Sequence, residues 1–376
     1  MMKKYLASCL AAAIAVLGTI SCGEIEPSAK EGSLSITILD EPAAVATKAS
    51  DKTELTYEKQ INKIDLFLFQ GNVLYEHLTL SASDVATLPY TKSYPKVPVG
   101  SYTIYAVANG PSGLSTAATK AAVTGAVISL ADCSTTASTG FVMYGNASAT
   151  VENGGSATAA VKMSRYASRV RLTKITNGLA NGTAISVTAV YLANVWGKWT
   201  IAGSTSASTN GTEAGLNEWV NLAARAAGKH ASTTASDFIK AASAVNPSAY
   251  ATQVFKAVPS ADRSITAGAA NAKTYNYSLY AFPSTVTEDQ TGPIADANKD
   301  KGALPRLVIV ATVNGTVYYF PITLTAKLVR NYTYDVAVTI TGSGSTDPNE
   351  PVQRGALSAS VTVNPWTAGT EYSETI

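Results

Sequence analysis

Apolar and small polar residues alternate along most of the chain with a period of two. The pattern begins near the N-terminus, where Leu34, Ile36 and Ile38 alternate with serine and threonine. This period is typical of a half-buried β-strand. About ten residues later Lys48 and Ala49 stand in an alanine-rich stretch that a trypsin-like protease would reach. The pairing of a strand with a cleavable loop suggests that the strand is a placeholder, removed when the loop is cut.

A second strand of the same kind is predicted at the other end of the chain. Its apolar residues share one face, and they are Leu357, Ala359, Val361 and Val363. Two interpretations remain open: a closing strand of its own domain, or a donor strand that replaces the first strand of another copy. Trp366 is correspondingly either a core anchor or a contact to the neighbouring subunit.

Between these ends the pattern predicts one strand after another, with turn residues between them. Gly71-Asn72 and Asn314-Gly315 read as hairpin turns, and a short helix is predicted within Ser112–Val123. The alternation lapses between Gly203 and Ala272. There, apolar residues at helical spacing within Thr212–Ala227 predict an amphipathic helix, so that this stretch is interpreted as a small helical insertion.

The fold class predicted from this pattern is all-β, with two antiparallel sandwiches in tandem. The chain continues from Ser164 to Ile175 without a turn signal, which suggests a stiff junction near Arg165. The predicted divisions are a leader (1–22), a propeptide with the placeholder strand (23–48), an N-terminal domain (49–165) and a C-terminal domain (166–376).

Composition narrows the class of protein. Hydrophobic residues make up 46% of the 376 residues and charged residues only 14%, with a formal net charge of +2. Because no basic stripe is available to neutralise phosphates, we expect no nucleic-acid partner. Abundant serine, threonine and alanine, with 19 Tyr against 7 Phe, are typical of an extracellular β-rich protein.

The N-terminus reads as a secretory leader. Lys3 and Lys4 precede an apolar run that is short for a membrane span, and Cys22 follows a small residue as in a bacterial lipobox. We therefore expect lipidation at Cys22, although a plain leader cut near Ser21 is the alternative. Cys133 is then the one thiol of the folded part, which leaves no partner for an intramolecular disulfide.

The residue types that catalysis and metal binding need are scarce. His77 and His230 are the only histidines, and neither has another His or a Cys at metal-ligand spacing. The carboxylates Glu288 and Asp289 have no second acid placed for glycoside hydrolysis. The sequence therefore predicts a protein that is not an enzyme and that uses no cofactor or metal.

Several motifs, taken in order, resemble FimA-type major fimbrial subunits, the type V pilins of Bacteroidales. They are the lipobox, the early strand, the basic-residue–Ala junction, Val99–Gly110, Arg165–Val170, Arg330–Gly344, Asp347–Pro351 and Val361–Trp366. The resemblance covers nearly the whole chain and is weakest between Gly203 and Ala272. It departs from the family at Lys48, where an arginine usually precedes the cut.

The resemblance implies two transthyretin-like sandwiches, export as a lipoprotein, and proteolysis after Lys48 that removes the first strand. It further implies a homopolymer joined by donated C-terminal strands, in a surface fimbria that supports adhesion and biofilm formation. The implied partners are other copies of the chain, anchor and tip subunits, a maturation protease, and the outer membrane through the precursor's lipid.

Two other roles stay open at this stage. One is a surface lipoprotein that binds glycan or host protein without polymerising, for which Trp196, Trp199 and Trp219 are the candidate aromatic platform. The other is a tip or anchor position in the same fimbria. An anchor would keep its lipid, whereas a tip would not usually donate a strand.

Overall fold

The computed structural model describes most of the two halves of the chain. The described residues are 30–40, 55–86, 88–133, 140–180, 182–193, 195–196, 198–201, 219–220, 251–267, 271–283, 304–324, 328–346, 352, 356–365 and 372–375. Within them strands dominate, which confirms the all-β class. The transthyretin-like tandem arrangement and the domain limits stay predictions.

The first half is a seven-stranded sheet. Its strands are β1 (Glu31–Asp40), β2 (Lys63–Gln70), β3 (Val73–Ser81), β4 (Tyr90–Pro98), β5 (Gly100–Ala108), β7 (Met143–Val151) and β8 (Ser156–Arg165). They are hydrogen-bonded in the order β3-β2-β5-β7-β8-β1-β4. Buried side chains from all seven strands form one hydrophobic cluster, so the sheet wraps around its own core.

The connection between β5 and β7 covers another face of this half. It contains a 3₁₀ helix (Ser112–Thr116), helix α1 (Lys120–Thr124), strand β6 (Val127–Ser129) and a 3₁₀ turn (Leu130–Asp132). Its buried residues pack in one cluster with Phe67 and Phe69 of β2. The predicted helix in this stretch is thus two short helical pieces.

The second half contains two further sheets. The first comprises β10 (Ile185–Ala193), β14 (Phe255–Ala257), β15 (Ser264–Ile265), β17 (Arg306–Val313) and β18 (Thr316–Thr323). The second comprises β9 (Ser168–Asn177), β16 (Ala272–Ala281), β19 (Tyr332–Ile340), β20 (Leu357–Pro365) and β21 (Tyr372–Thr375). The first has the order β14-β10-β17-β18, with β15 also on β10, and the second has the order β16-β9-β19-β20-β21.

Short elements complete the second half. They are β11 (Val195–Trp196), β12 (Lys198–Thr200), β13 (Trp219–Val220), helix α2 (Ala251–Val254) and a 3₁₀ turn (Ser260–Asp262). β12 pairs with β6 of the first half. The helix predicted over Thr212–Ala227 is wrong at Trp219 and Val220, which pair as a strand with β11. The rest of that predicted helix lies outside the described residues.

The chain changes sheets between β8 and β9, at Tyr166 and Ala167. The uninterrupted strand predicted from Ser164 to Ile175 is therefore broken there for two residues. The larger hydrophobic cluster runs across this point, because it contains Phe67 and Phe69 as well as the second half's core. The two halves consequently share packed interior rather than a bare linker.

Candidate functional site: the groove filled by the first strand

β1 is the second strand from one end of the seven-stranded sheet. It runs parallel to β8 on one side and antiparallel to β4 on the other. Its alternating sequence gives the expected burial, because Leu34 is 1% exposed and Ile36 and Ile38 are fully buried. The three residues predicted for the placeholder strand thus fill a continuous apolar groove between β8 and β4.

Polar contacts line the outer face of β1. The Ser33 hydroxyl donates to Ser156 Oγ of β8 at 2.8 Å, and the hydroxyls of Thr37 and Thr91 of β4 lie 3.1 Å apart. Near its start, Gly154 N donates to Glu31 O at 2.7 Å, and Val99 N donates to Lys30 O at 3.0 Å. Main-chain and hydroxyl groups on both sides therefore hold the strand in one register.

Of the two strands beside β1, β4 depends more on β1 for its backbone hydrogen bonds than β8 does. Among the described strands, β4 pairs with β1 alone, whereas β8 also pairs with β7. Two side-chain hydrogen bonds tie β4 and the residue after it to the rest of this half without passing through β1. Tyr102 Oη donates to Pro98 O at 2.7 Å, and Gln70 Nε2 donates to Val99 O at 3.1 Å.

Burial, together with the nearby carboxylate of Glu76, raises the pKa of Tyr94 well above its ordinary value. The phenol therefore stays protonated. Tyr75 packs edge-on against Tyr102 with ring centroids 5.8 Å apart, so aromatic rings from β3 and β5 support the same corner.

β20, the predicted donor strand, lies in its own half. It pairs antiparallel with β19 from Leu357 to Pro365, and β21 covers part of its other side. Ala359 is 7% exposed and Val361 is 5% exposed, while Leu357 and Val363 are only partly buried. Its apolar face is therefore less completely covered than that of β1, and the position agrees with the closing-strand interpretation for the single chain.

Four of the predicted site residues lie outside the described residues. They are Cys22, Lys48, Ala49 and Trp366, of which Lys48 and Ala49 flank the expected cut. Thus the structure brings together the three placeholder residues in one groove and four donor residues on one strand of another sheet.

A buried polar cluster at the junction was not foreseen from the sequence. Arg169 of β9 pairs with Glu58, a residue that follows the linker after β1, and the two side chains are 1% and 0% exposed. Tyr280 Oη donates to Glu58 Oε1 at 2.8 Å, and Arg165 Nε donates to Glu58 O at 2.6 Å. Arg165 and Arg169 belong to the motif noted in the sequence, but a partner more than a hundred residues away gives no local signal.

Arg330 joins the halves at a second point. Its Nη2 donates to Tyr144 O at 2.9 Å and to Ser164 Oγ, and its guanidinium lies 4.8 Å from the centroid of the Tyr166 ring. Burial raises the pKa of Tyr166, although the charge of Arg330 acts in the opposite direction. The junction is therefore a packed, hydrogen-bonded contact.

The residues considered for other chemistry take structural positions where they are described. Trp199 is 4% exposed, so it cannot form part of an exposed aromatic platform. His77 Nε2 contacts Asp65 Oδ1 at 3.2 Å and its ring stacks on Phe67. Burial raises the pKa of the Cys133 thiol to about 12. The structure does not describe the side chains of Trp196, Trp219 and His230.

Neither a metal site nor a membrane helix is found in the described part of the chain. No group of three or more His, Cys, Asp and Glu side chains there is arranged to hold a metal ion. No helix among those residues is both long enough and apolar enough to span a bilayer.

Comparison with known proteins identifies the family of the chain. The family model of the fimbrillin-A associated anchor proteins Mfa1 and Mfa2 matches residues 33–371. A search of curated protein sequences finds no match to the chain.

Solved structures share the fold. A candidate cell adhesion protein from Bacteroides eggerthii is 21% identical, with a TM-score of 0.57 over 90% of this chain and 96% of that one. The fimbrilin FimA from Porphyromonas gingivalis is 15% identical, with a TM-score of 0.54 over 90% of this chain and 98% of that one. A further candidate cell adhesion protein, from Parabacteroides distasonis, is 16% identical with a TM-score of 0.55 over 90% and 99%. The resemblance to fimbrillins noted in the sequence is thereby confirmed.

Proposed function

The chain belongs to the family of the fimbrillin-A associated anchor proteins Mfa1 and Mfa2, and on this premise we propose that it is a stalk subunit of a surface fimbria. The family places it among fimbrial and adhesion proteins, which are structural proteins and not enzymes. In the proposed pathway the chain is exported as an outer-membrane lipoprotein through Cys22, cut after Lys48, and polymerised by its C-terminal strand. The resulting fimbria supports adhesion and biofilm formation.

The observation that carries this proposal is the position of β1. The strand precedes Lys48 in the sequence, and it is buried between β8 and β4 instead of lying at the surface. Losing it would expose unpaired backbone groups on β8 and β4 together with the apolar residues they surround. Such a groove binds an extended strand through main-chain hydrogen bonds, while alternate side chains fill its pockets.

Side-chain burial in the groove is one contribution that supports the proposed exchange. The β1 groove buries its three main apolar side chains to 1% exposure or less, whereas two of the four on β20 are only partly buried in their own sheet. Each fully buried aliphatic side chain contributes about 1.5–3 kcal/mol relative to exposure. Leu357, which is only partly buried in its own sheet, would gain burial in the groove of another copy, and ladder hydrogen bonds to β8 and β4 would replace the ladder that β20 leaves on β19.

The lengths of the two strands also match, since β1 has 10 residues and β20 has 9. Before the cut, β1 occupies the groove and blocks exchange. Polymerisation would thus wait until a protease has acted, which explains why a lipid-anchored precursor would reach the surface as a monomer.

An anchor subunit is the second candidate, because the family description itself names anchor proteins. An anchor would use the same groove chemistry but would keep its acylated N-terminus. The two roles are separated by the N-terminus of the protein isolated from cells.

The test uses non-lipidated precursor, treated briefly with a trypsin-like protease. We expect a new N-terminus at Ala49, followed by an SDS-resistant ladder of oligomers and filaments in electron micrographs. A matched variant, Val361→Asp, places a charge on the apolar face of β20 and should be cut at the same site without forming a ladder. A wild-type protein that is cut cleanly and stays monomeric would refute strand exchange and favour the non-polymerising lipoprotein.

A further inference from the structure

The first strand and the C-terminal strand carry the same residue pattern in the same order. Residues 32–38 read Gly-Ser-Leu-Ser-Ile-Thr-Ile, and residues 355–361 read Gly-Ala-Leu-Ser-Ala-Ser-Val. Glycine, leucine and serine are identical at matched positions, and the other positions keep their small, hydroxyl or apolar character. A copy of β1's pattern is what a strand would need if it were to occupy the same groove.

The glycine occupies a sterically restricted position in the groove. A Cβ atom built on Gly32 would lie 2.6 Å from Glu152 O and 2.7 Å from Gly155 O, in the turn between β7 and β8. Both contacts are with backbone, so they cannot be relieved by moving a flexible side chain. A strand that fills the groove in full therefore needs glycine at this point, two residues before its first buried apolar residue.

The C-terminal strand satisfies this requirement in one register alone. With Leu357 at the site of Leu34, Gly355 falls at the site of Gly32. A shift of two residues in one direction would put Leu357 there, and a shift of two in the other direction would put Gln353 there. A shift of one residue would turn the apolar face outward.

The outer face agrees with this alignment. Thr37 Oγ1 meets Thr91 Oγ1 of β4 at 3.1 Å, and Ser35 lies opposite Ser93 of the same strand. The matched residues, Ser360 and Ser358, also carry hydroxyl groups. Ser35 and Thr37 thus have hydroxyl counterparts on the C-terminal strand, whereas Ser33 of β1, which donates to Ser156 Oγ, is matched by Ala356.

We propose that the C-terminal strand of a second copy enters the groove parallel to β8, with Leu357, Ala359 and Val361 at the sites of Leu34, Ile36 and Ile38. This register rests on the proposed strand exchange and specifies it further. Gly355 lies outside the described residues, and its part in the argument is its place in the sequence alone. Because Ala359 is smaller than Ile36, the donated strand leaves the central pocket underfilled.

Cysteine pairs test the register directly. Thr91 lies opposite Thr37 in β1, so Thr91→Cys should form an intersubunit disulfide with Ser360→Cys after the precursor is cut. Ser358→Cys and Thr362→Cys, each combined with Thr91→Cys, are the matched controls one alternation away. Oligomers are boiled in SDS without reductant, so that disulfide-linked species alone survive, and uncut precursor of each variant gives the background.

We expect the Ser360 pair to give at least about tenfold more cross-linked dimer than either control pair, because disulfides tolerate only short Cβ separations. A ladder that forms normally but cross-links best through Ser358 or Thr362 would overturn the register and leave strand exchange standing. The absence of a ladder in wild-type protein would overturn both the exchange and the register built on it.

Two substitutions add readouts that the cross-link does not supply. Gly355→Val should leave cleavage intact and abolish the ladder, whereas Gly113→Val, at a site with open space around it, should not affect assembly. Ala359→Ile should fill the central pocket and slow exchange between preformed oligomers and labelled subunits. A Gly355→Val protein that polymerises like wild type would contradict the register even if the chain folds normally.

Discussion

One nitrogen of Arg169 holds both carboxylate oxygens of Glu58. Nη1 donates to Oε1 at 3.0 Å and to Oε2 at 2.8 Å, and neither side chain is more than 1% exposed. Glu58 lies after the linker that follows β1, whereas Arg169 belongs to the second half. The pair therefore fastens the start of the remaining chain to the other half, independently of β1.

This attachment matters for the proposed maturation. A protein that loses an inner strand of its sheet must keep the rest of its fold, and the residues just after the cut are the ones most exposed to fraying. Leu55 N also donates to Glu58 Oε2, at 2.8 Å, so the carboxylate orders the backbone of this turn as well. The junction would thus stay intact while the groove changes its occupant.

Glu58→Gln should be strongly destabilising. Breaking a buried ion pair by removing one charge leaves the other uncompensated, at a cost of about 3–5 kcal/mol. Urea unfolding of the precursor measures the effect. Asp335→Asn is the matched control, because its bidentate pair with Arg171 is 16% exposed on each side, and we expect a smaller loss there. Equal losses in the two variants would contradict the special role of the buried pair.

Ile36→Ala should separate the precursor from the polymer. Ile36 is fully buried, so truncation should lower the precursor's free energy of unfolding by about 2–5 kcal/mol. If β1 is discarded during maturation, the finished polymer should melt in SDS at the same temperature as wild type. Val361→Ala should have the opposite pattern of effects, because it should lower the temperature at which the polymer melts in SDS more than it affects the precursor. A polymer that Ile36→Ala weakens would indicate that β1 is retained.

Tyr102→Phe tests whether β4 is held in place once β1 has gone. The lost hydrogen bond to Pro98 O should cost the precursor about 0.5–1.5 kcal/mol. Because β4 pairs with β1 alone among the described strands, losing this hydrogen bond should slow ladder formation by a larger factor than the loss of precursor stability corresponds to. The measurements are the free energy of unfolding of the precursor and the rate of ladder formation after the cut. A variant with wild-type assembly kinetics would show that β4 needs no such support.

Stability should fall above pH 9 in part because of Cys133. Burial raises the pKa of its thiol from 9.0 to about 12, so the unfolded chain releases this proton at lower pH than the folded one. The contribution is complete below pH 9.0 and is lost as the pH rises towards about 12. The stability difference between wild type and Cys133→Ala should therefore shrink as the pH is raised through this range. An unchanged difference would show that the thiol ionises equally in both states.

The sequence was sufficient to predict the strands but not their partners. Alternation at Leu34, Ile36 and Ile38 identified β1, and glycine-containing turns located the hairpins. β4 is not recognisable in the sequence, because Pro95 and Pro98 interrupt its pattern. Proline is compatible with a strand at the end of a sheet, where half of the backbone donors need no strand partner.

Long-range contacts account for the other differences. The period at Trp219 and Val220 suggested a helix, yet these residues pair with β11, and cross-strand pairing overrides a short local pattern. The Glu58–Arg169 pair was likewise invisible, because a single carboxylate near a turn has no distinctive local signature. The parallel pairing of β1 with β8 cannot be read from either strand's sequence, because it depends on how the whole sheet is assembled.

The most direct test of the account is the N-terminus of the protein in fimbriae sheared from the cells that make it. Mass spectrometry of the purified polymer should find chains that begin at Ala49 and carry no acyl group. Polymerised chains that begin at an acylated Cys22 and still contain Leu34, Ile36 and Ile38 would contradict the removal of β1, and with it the opening of the groove.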